Sequence, residues 1–175
     1  MCIRDRIARQ LGAARVVGSA GSAEKVARIV GGYRYDAGFD YHDVPVLEQL
    51  AAAAPDGIDV YFDNVGGEHL EAAIATLRRD GRAALCGSIA SYNATEAAPG
   101  PRNLGRLVTH SLELKGFTVG GYLSLYPEFL ERMTGWVRSG EIRYDETIVD
   151  GLENTTAAFL DMMRGKNLGK MLVRV

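Results

Sequence analysis

Two residues near the start of the chain have the types and the spacing to bind a phosphate group. Ser22 follows the short apolar segment 15–20, and Lys25 comes three residues later. A serine here predicts a helix N-cap, so that free backbone amides, a hydroxyl and an ammonium meet at one point. No aspartate or glutamate ends the apolar segment, where it would bind ribose hydroxyls. The residues alone leave a second interpretation open, which is a capped surface helix with a solvated lysine.

A second candidate site follows the apolar segment 58–62, which ends in Asp63 and Asn64. The glycine pair Gly66-Gly67 would let the backbone pass close to a ligand. Asn64 could form a hydrogen bond with the ribose or nicotinamide side of a dinucleotide. The other interpretation of Asn64 is a simple N-cap or Asx-turn residue.

A third candidate site combines the small residues at 86–88 with Tyr92 in the following loop. Small side chains would permit close approach of a cofactor, and Tyr92 could face a substrate. We expect Cys86 to be packed in the core, because no neighbouring histidine or basic residue would activate it as a nucleophile. No Ser-His-Asp or paired-carboxylate arrangement follows from the spacing. This favours hydride transfer, in which a cofactor supplies the reactivity and the protein orients it.

The cysteines and histidines predict neither a metal site nor a disulfide framework. Two cysteines and three histidines are far apart in sequence and lack the spacing of zinc ligands. These residues are Cys2, Cys86, His42, His69 and His110.

Composition excludes several other classes of protein. The formal charge of −2 and the scattered basic residues argue against nucleic-acid binding. No apolar run approaches the roughly 20 residues of a membrane span, so we expect no membrane association. No secretory signal pattern is visible, which predicts a cytoplasmic protein.

The elements that must position these residues alternate between strand and helix. The 175 residues, of which 47% are hydrophobic, can bury one ordinary core. The alternation, with strands that are apolar on both faces, predicts α/β architecture with a doubly wound parallel sheet, whose ligands bind at the carboxyl ends of the strands. Strands are predicted at 14–20, 35–41, 58–65, 81–88, 112–122, 142–151 and 169–175. Helices are predicted at 7–11, 22–32, 43–55, 67–81, 104–111, 126–141 and 155–165, with a loop at 89–103.

Several motifs together carry a family resemblance. The segments RVVGSAGSAEK, FDNVGG and GKNLGK, in this order, resemble those of the zinc-independent medium-chain dehydrogenases/reductases over residues 7–175. The nearest members are the NADPH-dependent alkenal/one oxidoreductases, also called prostaglandin reductases or leukotriene B4 12-hydroxydehydrogenases. The resemblance implies a Rossmann-type fold and reduction of the α,β-double bond of an enone or enal by NADPH, with hydride delivered to the β-carbon.

The resemblance also implies roles for individual residues. Lys25 and Tyr41 would contact the 2′-phosphate region of NADP, beside Ser22, while Asn64 and Asn167 would contact the cofactor elsewhere. Tyr92 would be the catalytic residue, as a hydrogen-bond donor to the substrate carbonyl oxygen. The nicotinamide side of the cofactor would be lined by Cys86, Gly87, Ser88, Ile89, Ala90, Ser91, Tyr92, Phe117, Thr118 and Val119.

The resemblance predicts how the chain is organised. The family begins with a GroES-like substrate domain, then a central strand and a glycine-rich turn, which this sequence lacks. We therefore expect an N-terminally truncated fragment whose sheet lacks its first strand, inactive alone and weak in NADPH binding. Residues 1–6, which back-translate to a sequencing adapter, would be a non-native leader. Residues 7–140 would be a partial dinucleotide-binding domain, and 141–175 a C-terminal strand-helix-strand of the GroES-like domain.

Two alternatives to an enone reductase remain open at this level. A related NADPH quinone reductase would share the fold and the cofactor but act on quinones. A non-catalytic NADPH-binding or structural protein would bind the cofactor without turnover. By analogy with the family, we expect the full-length enzyme to be a homodimer joined through the edge strand around 113–122.

Overall fold

The computed structural model describes residues 4–96 and 99–175. Residues 1–3 of the predicted leader and residues 97–98 of the predicted loop lie outside the described residues. The chain divides into two compact units. The first comprises the residues up to Asp40 together with Pro127–Val175, and the second is Tyr41–Tyr126.

The first unit contains two pairs of parallel strands and the helices that connect them. Its amino-terminal elements are α1 (Arg4–Gln10), β1 (Val17–Ala20), α2 (Ala23–Ala27), a π-helical turn (Arg28–Gly32) and β2 (Ala37–Asp40). Its carboxy-terminal elements are α6 (Tyr126–Arg138, in this unit from Pro127), β6 (Glu146–Asp150), a 3-10 turn (Leu152–Asn154), α7 (Thr155–Met163) and β7 (Lys170–Arg174).

Two glycines allow the first strand pair to pack. β1 and β2 pair in parallel, with Gly18 opposite Gly38. A Cβ on Gly18 would lie 2.6 Å from the Tyr35 ring, and one on Gly38 would lie 2.9 Å from Ile29 Cδ1. The absence of these side chains therefore lets Ile29 and Tyr35 lie directly on the sheet, where they form a buried cluster with Val16 and Tyr33.

The second unit is built on a three-stranded parallel sheet in the order β3-β4-β5. Its core is a cluster around Ile74 and Leu77, both almost fully buried, with Ala83 and Leu112. Its elements are α3 (Val46–Ala53), β3 (Ile58–Asp63), α4 (Gly67–Thr76), β4 (Leu77–Leu85), a 3-10 turn (Ile89–Ser91), α5 (Gly105–His110), β5 (Glu113–Gly116) and a 3-10 helix (Val119–Leu125).

The strand order agrees with the predicted doubly wound topology. In the family order 3-2-1-4-5-6, the pair β1–β2 corresponds to strands 2 and 3, and β3-β4-β5 corresponds to strands 4, 5 and 6. Among the described residues these two sets form separate hydrogen-bonded sheets. The predicted C-terminal strand-helix-strand is also confirmed, because β6 and β7 form a third, parallel pair around α7.

Some predicted boundaries were wrong. The helix predicted at 67–81 ends at Thr76, because Leu77 turns into the core and pairs with Ile58 as the first residue of β4. The pairing register then shifts before Arg82, around the positive φ of Asp80. The strand predicted at 112–122 ends at Gly116, and a 3-10 helix follows from Val119.

Candidate functional site

A buried carboxylate closes the turn at the carboxyl end of β3. Asp63 is 1% exposed, and its Oδ1 accepts hydrogen bonds from the Tyr61 hydroxyl at 2.9 Å and from the amides of Val65 and Gly66 at 2.8 and 2.9 Å. These bonds fix the backbone that leads into α4. The sequence pattern predicted Asn64 as the functional residue at this turn and did not indicate the structural role of Asp63.

The loop after β4 is hydrogen-bonded to this turn. The amides of Cys86 and Gly87 donate to the Asp63 carbonyl at 2.8 and 3.3 Å, and the Ile89 amide donates to the Asn64 carbonyl at 3.0 Å. Gly66 has φ +71, and a Cβ on it would lie 3.2 Å from Ser88 Cβ, so a glycine is needed where the loops meet. The second and third candidate sites of the sequence therefore form one surface.

A cleft of about 540 Å³ lies at the carboxyl ends of β3, β4 and β5. This is where parallel α/β sheets bind their ligands. The cleft brings together five of the predicted cofactor-binding residues: Cys86, Gly87, Ser88, Phe117 and Thr118. Its other lining residues are Asp63, Gly66, Leu70, Leu85 and Gly116. The predicted residues Asn64, Ile89, Ala90, Ser91 and Val119 do not line it.

Tyr92 lies next to this cleft. Its side chain is 66% exposed, and its hydroxyl lies 3.5 Å from the amide nitrogen of Ser88. A Cβ on Gly87 would lie 3.1 Å from the same hydroxyl, so the glycine leaves room for the phenol. An exposed phenol beside a ligand-sized cleft is free to donate a hydrogen bond to an oxygen of a bound substrate.

The prediction that Cys86 packs in the core was wrong. The cysteine is exposed and lines the cleft. Strand β4 ends at Leu85, so Cys86 lies beyond the last paired residue, at the mouth of the sheet rather than inside it.

Three aromatic rings support one wall of the cleft. The Phe117 ring meets Phe62 edge to face at a centroid distance of 5.8 Å and meets Tyr122 in the same way at 5.7 Å. Such contacts hold the Phe117 ring in a defined orientation. No local pattern pointed to Phe62, because Phe62 and Phe117 are far apart in sequence.

Tyr41 lies in a cluster with two histidines. Its ring centroid is 4.3 Å from that of His42 and 5.2 Å from that of His69. Desolvation by burial lowers the pKa of His69, against the opposing effect of Glu68 and Asp63. The His69 Nε2 has no hydrogen-bond partner within the part of the chain that the structure describes. The cluster thus offers Tyr41 a neutral imidazole neighbour.

The predicted N-cap at Ser22 is confirmed in the first unit. Ser22 Oγ accepts a hydrogen bond from the Lys25 amide at 3.3 Å. The Lys25 ammonium donates to the carbonyl oxygen of Gly165 and is therefore not a simply solvated group. Gly165 lies two residues before Asn167, whose side-chain amide donates to the Gly169 carbonyl at 2.7 Å. The fold thus brings the loop that carries Asn167 to Lys25.

No metal centre is formed by residues 4–96 and 99–175. These residues contain no group of three or more histidine, cysteine, aspartate or glutamate side chains that could hold a metal ion. Nor does any helix within these ranges have the length and apolar character to cross a membrane.

The strand order and the cleft define a Rossmann-type nucleotide-binding fold of the α/β class. The family model of the zinc-binding dehydrogenases matches residues 6–135, and the chain belongs to this family. The described residues do not provide a zinc ligand set of the kind that the family's name suggests. The zinc-independent reaction stays a prediction.

Known reductases are similar over almost the whole chain. The NADPH-dependent curcumin reductase of Escherichia coli (strain K12) is 42% identical over 166 residues, which are 92% of this chain and 48% of that enzyme. The NADP(+)-dependent 2-alkenal reductase of Nicotiana tabacum is 40% identical over 161 residues, covering 91% of this chain and 47% of that protein. The predicted resemblance to the alkenal reductases is confirmed.

A solved structure supports the same assignment. CurA from Vibrio vulnificus in complex with NADPH matches this chain with a TM-score of 0.89 and 37% identity. The match covers 98% of this chain and 52% of CurA. The chain spans about half the length of the relatives it matches.

Proposed function

We propose that this chain carries the cofactor-binding part of a reductase that uses NADPH to reduce the carbon–carbon double bond of an enone or enal. The observation that carries the proposal is the identity of 40–42% to a 2-alkenal reductase and a curcumin reductase over more than nine-tenths of the chain. The cleft at the strand ends supports it, because a ligand of this fold binds there. The substrate is a small α,β-unsaturated carbonyl compound.

The predicted contacts with the cofactor are proposed residue by residue. Residues 86–92 and 117–119, of which five line the cleft, would bind the nicotinamide side, and Asn64 the adjoining ribose. Ser22, Lys25 and Tyr41 would bind the 2′-phosphate end, and Asn167 a further part of NADP. The proximity of Lys25 to the loop of Asn167 supports their joint assignment.

Tyr92 would assist the reaction through its hydroxyl. NADPH, when bound, would supply a hydride for the β-carbon. The electrons of the carbon–carbon double bond would then form a bond between the α-carbon and the carbonyl carbon, and those of the carbonyl would move onto its oxygen. The Tyr92 phenol, beside the cleft, would donate a hydrogen bond to this developing negative charge. A proton added at the α-carbon completes the saturated product.

The first experiment follows NADPH oxidation by the complete gene product. We expect turnover with 2-alkenals, slower turnover with quinones, and a preference for NADPH over NADH. Faster turnover of quinones would instead make the protein a quinone reductase. Cofactor binding without turnover of either substrate would make it a non-catalytic NADPH-binding protein.

The second experiment tests the phosphate contact. Lys25→Ala should raise the Kd for NADPH about tenfold to a hundredfold and leave that for NADH unchanged, because a charge-assisted bond to the 2′-phosphate is lost. Arg174→Ala is the matched control, since its guanidinium pairs with Asp150 at 2.6 Å in the same unit. Equal losses for NADPH and NADH would contradict the assignment.

Three further expectations belong to this proposal. Residues 7–140 would belong to the dinucleotide-binding domain and 141–175 to a substrate domain, so the chain of 175 residues alone should show no alkenal turnover. Turnover by the purified chain would contradict this. We also propose a cytoplasmic location, tested by cell fractionation, and a homodimer formed through β5, tested by size-exclusion chromatography with light scattering.

A further inference from the structure

The loop Gly165–Gly169 is attached to its own unit at several points. The Thr147 hydroxyl donates to the Leu168 carbonyl at 2.8 Å and accepts from the Leu168 amide at 3.0 Å. The Lys25 ammonium donates to the Gly165 carbonyl at the other end of the loop. Asn167 lies between these attachments, so its position depends on both β6 and α2.

The carboxylate of Asp145, just before β6, binds the π-helical turn that follows α2. Arg28 donates to Asp145 through two parallel bonds, Nε to Oδ2 and Nη2 to Oδ1, both at 2.8 Å. The Tyr33 hydroxyl also donates to Oδ2. A planar bidentate pair fixes direction as well as distance, which a single lysine bond would not do. Asp145 therefore sets how the helix bearing Arg28 meets the C-terminal strands.

The backbone of Asp145 also holds the end of the loop. Its carbonyl accepts a hydrogen bond from the Lys170 amide at 2.9 Å. Gly169 has φ +76, and a Cβ there would lie only 1.9 Å from this carbonyl oxygen. The loop thus passes directly against Asp145, whose side chain binds Arg28 in the π-helical turn at the same time.

Lys25 and Arg28 are three residues apart on one helical segment. Residues at this spacing lie on the same face of a helix. Lys25 therefore contacts the loop at Gly165 while Arg28 contacts Asp145 beside it. We propose that Asp145 is a positioning residue for cofactor binding, which holds Arg28 so that Lys25 and Asn167 act on the same NADPH molecule. The inference rests on the function proposed above, and it assigns a role to a residue that is not among those proposed to bind cofactor or substrate.

The test is a double-mutant cycle on NADPH binding by the complete gene product, measured by fluorescence titration. Lys25→Ala should raise the Kd about tenfold or more in the wild-type background and less than about threefold in the Asp145→Asn background. Asp145→Asn alone should raise it about tenfold. Asp150→Asn is the control, because Asp150 ends β6, the strand that begins just after Asp145, and pairs with the exposed Arg174. In that background Lys25→Ala should keep its full effect.

Each outcome decides the inference. An undiminished effect of Lys25→Ala in the Asp145→Asn background would overturn it, even if that variant is less thermally stable, since a merely structural role would leave the ratio unchanged. No effect of Lys25→Ala in the wild type would overturn the proposed phosphate contact as well. If Asp145→Asn does not fold, the cycle is run with Arg28→Lys, which keeps the charge but loses the bidentate bond. The effect of Lys25→Ala should shrink there too, and a full effect overturns the inference.

Discussion

Replacing Asp63 by alanine should destabilise the second unit more than any exposed charge on the same strand. The carboxylate is 1% exposed, and one of its oxygens accepts three hydrogen bonds. Alanine would leave the amides of Val65 and Gly66 without an acceptor in a buried turn. The backbone carbonyl of Asp63 also accepts hydrogen bonds from the loop after β4, so a disturbed turn would loosen that loop as well.

The magnitude follows from these bonds. A buried donor left unsatisfied costs about 1–3 kcal/mol, so two amides give about 2–6 kcal/mol. The Tyr61 hydroxyl is only partly buried and can turn to water. A loss of this size is a large part of the roughly 5–15 kcal/mol that stabilises a typical domain. Asp63→Asn keeps an acceptor but loses the charge, so about 1–2 kcal/mol is expected.

Urea unfolding of the complete gene product, followed by circular dichroism, measures the loss. Asp59→Ala is the control, because Asp59 is on β3 with a side chain 74% exposed and pairs with Arg78 at 3.2 Å. It should cost about 0.5 kcal/mol or less. Hydrogen exchange should show the Val65 and Gly66 amides exchanging faster in Asp63→Ala. Equal losses for Asp63→Ala and Asp59→Ala would refute the reasoning.

Three further predictions concern other parts of the molecule. Gly169→Ala should lower the free energy of unfolding, measured with urea, by about 2 kcal/mol or more, because its Cβ would overlap the Asp145 carbonyl. Gly135→Ala in α6, with nothing within 4 Å of the added Cβ, should raise the free energy of unfolding by about 0.5–1 kcal/mol. The free energy of unfolding should fall as pH decreases below about 6.5. The pKa of His69 is lowered in the folded chain, so the unfolded chain takes up this proton at a higher pH and is favoured there. His69→Gln should flatten this part of the plot of stability against pH. Tyr92→Phe should lower kcat/KM for 2-alkenals about a hundredfold in steady-state assays, and an unchanged value would exclude the phenol as a donor.

The sequence predicted most of the elements that build the site. The apolar segments preceding Asp63 and Cys86 are strands, and their carboxyl ends meet at the cleft, because parallel strands with short connections have little topological freedom. Boundaries were less predictable. Leu77 fits a helical period with α4, but the core takes it into β4, so tertiary packing overrode the local pattern.

The exposure of Cys86 is a second feature that the sequence did not predict. Whether a residue at the end of a strand is buried depends on what the neighbouring strand and loop cover, and sequence periodicity does not contain this information. The same applies to Phe62, whose contact with Phe117 joins residues on β3 and just after β5.

By itself the sequence determined the order of strands, the N-cap at Ser22 and the family, because hydrophobic period, turn residues and motifs are properties of neighbouring residues. Only the tertiary structure decided that Asp63 secures the β3 turn against the next loop and that Arg28 pairs with Asp145, 117 positions away. Pairings of this kind depend on where the backbone brings distant side chains together, which no local pattern of residue types specifies.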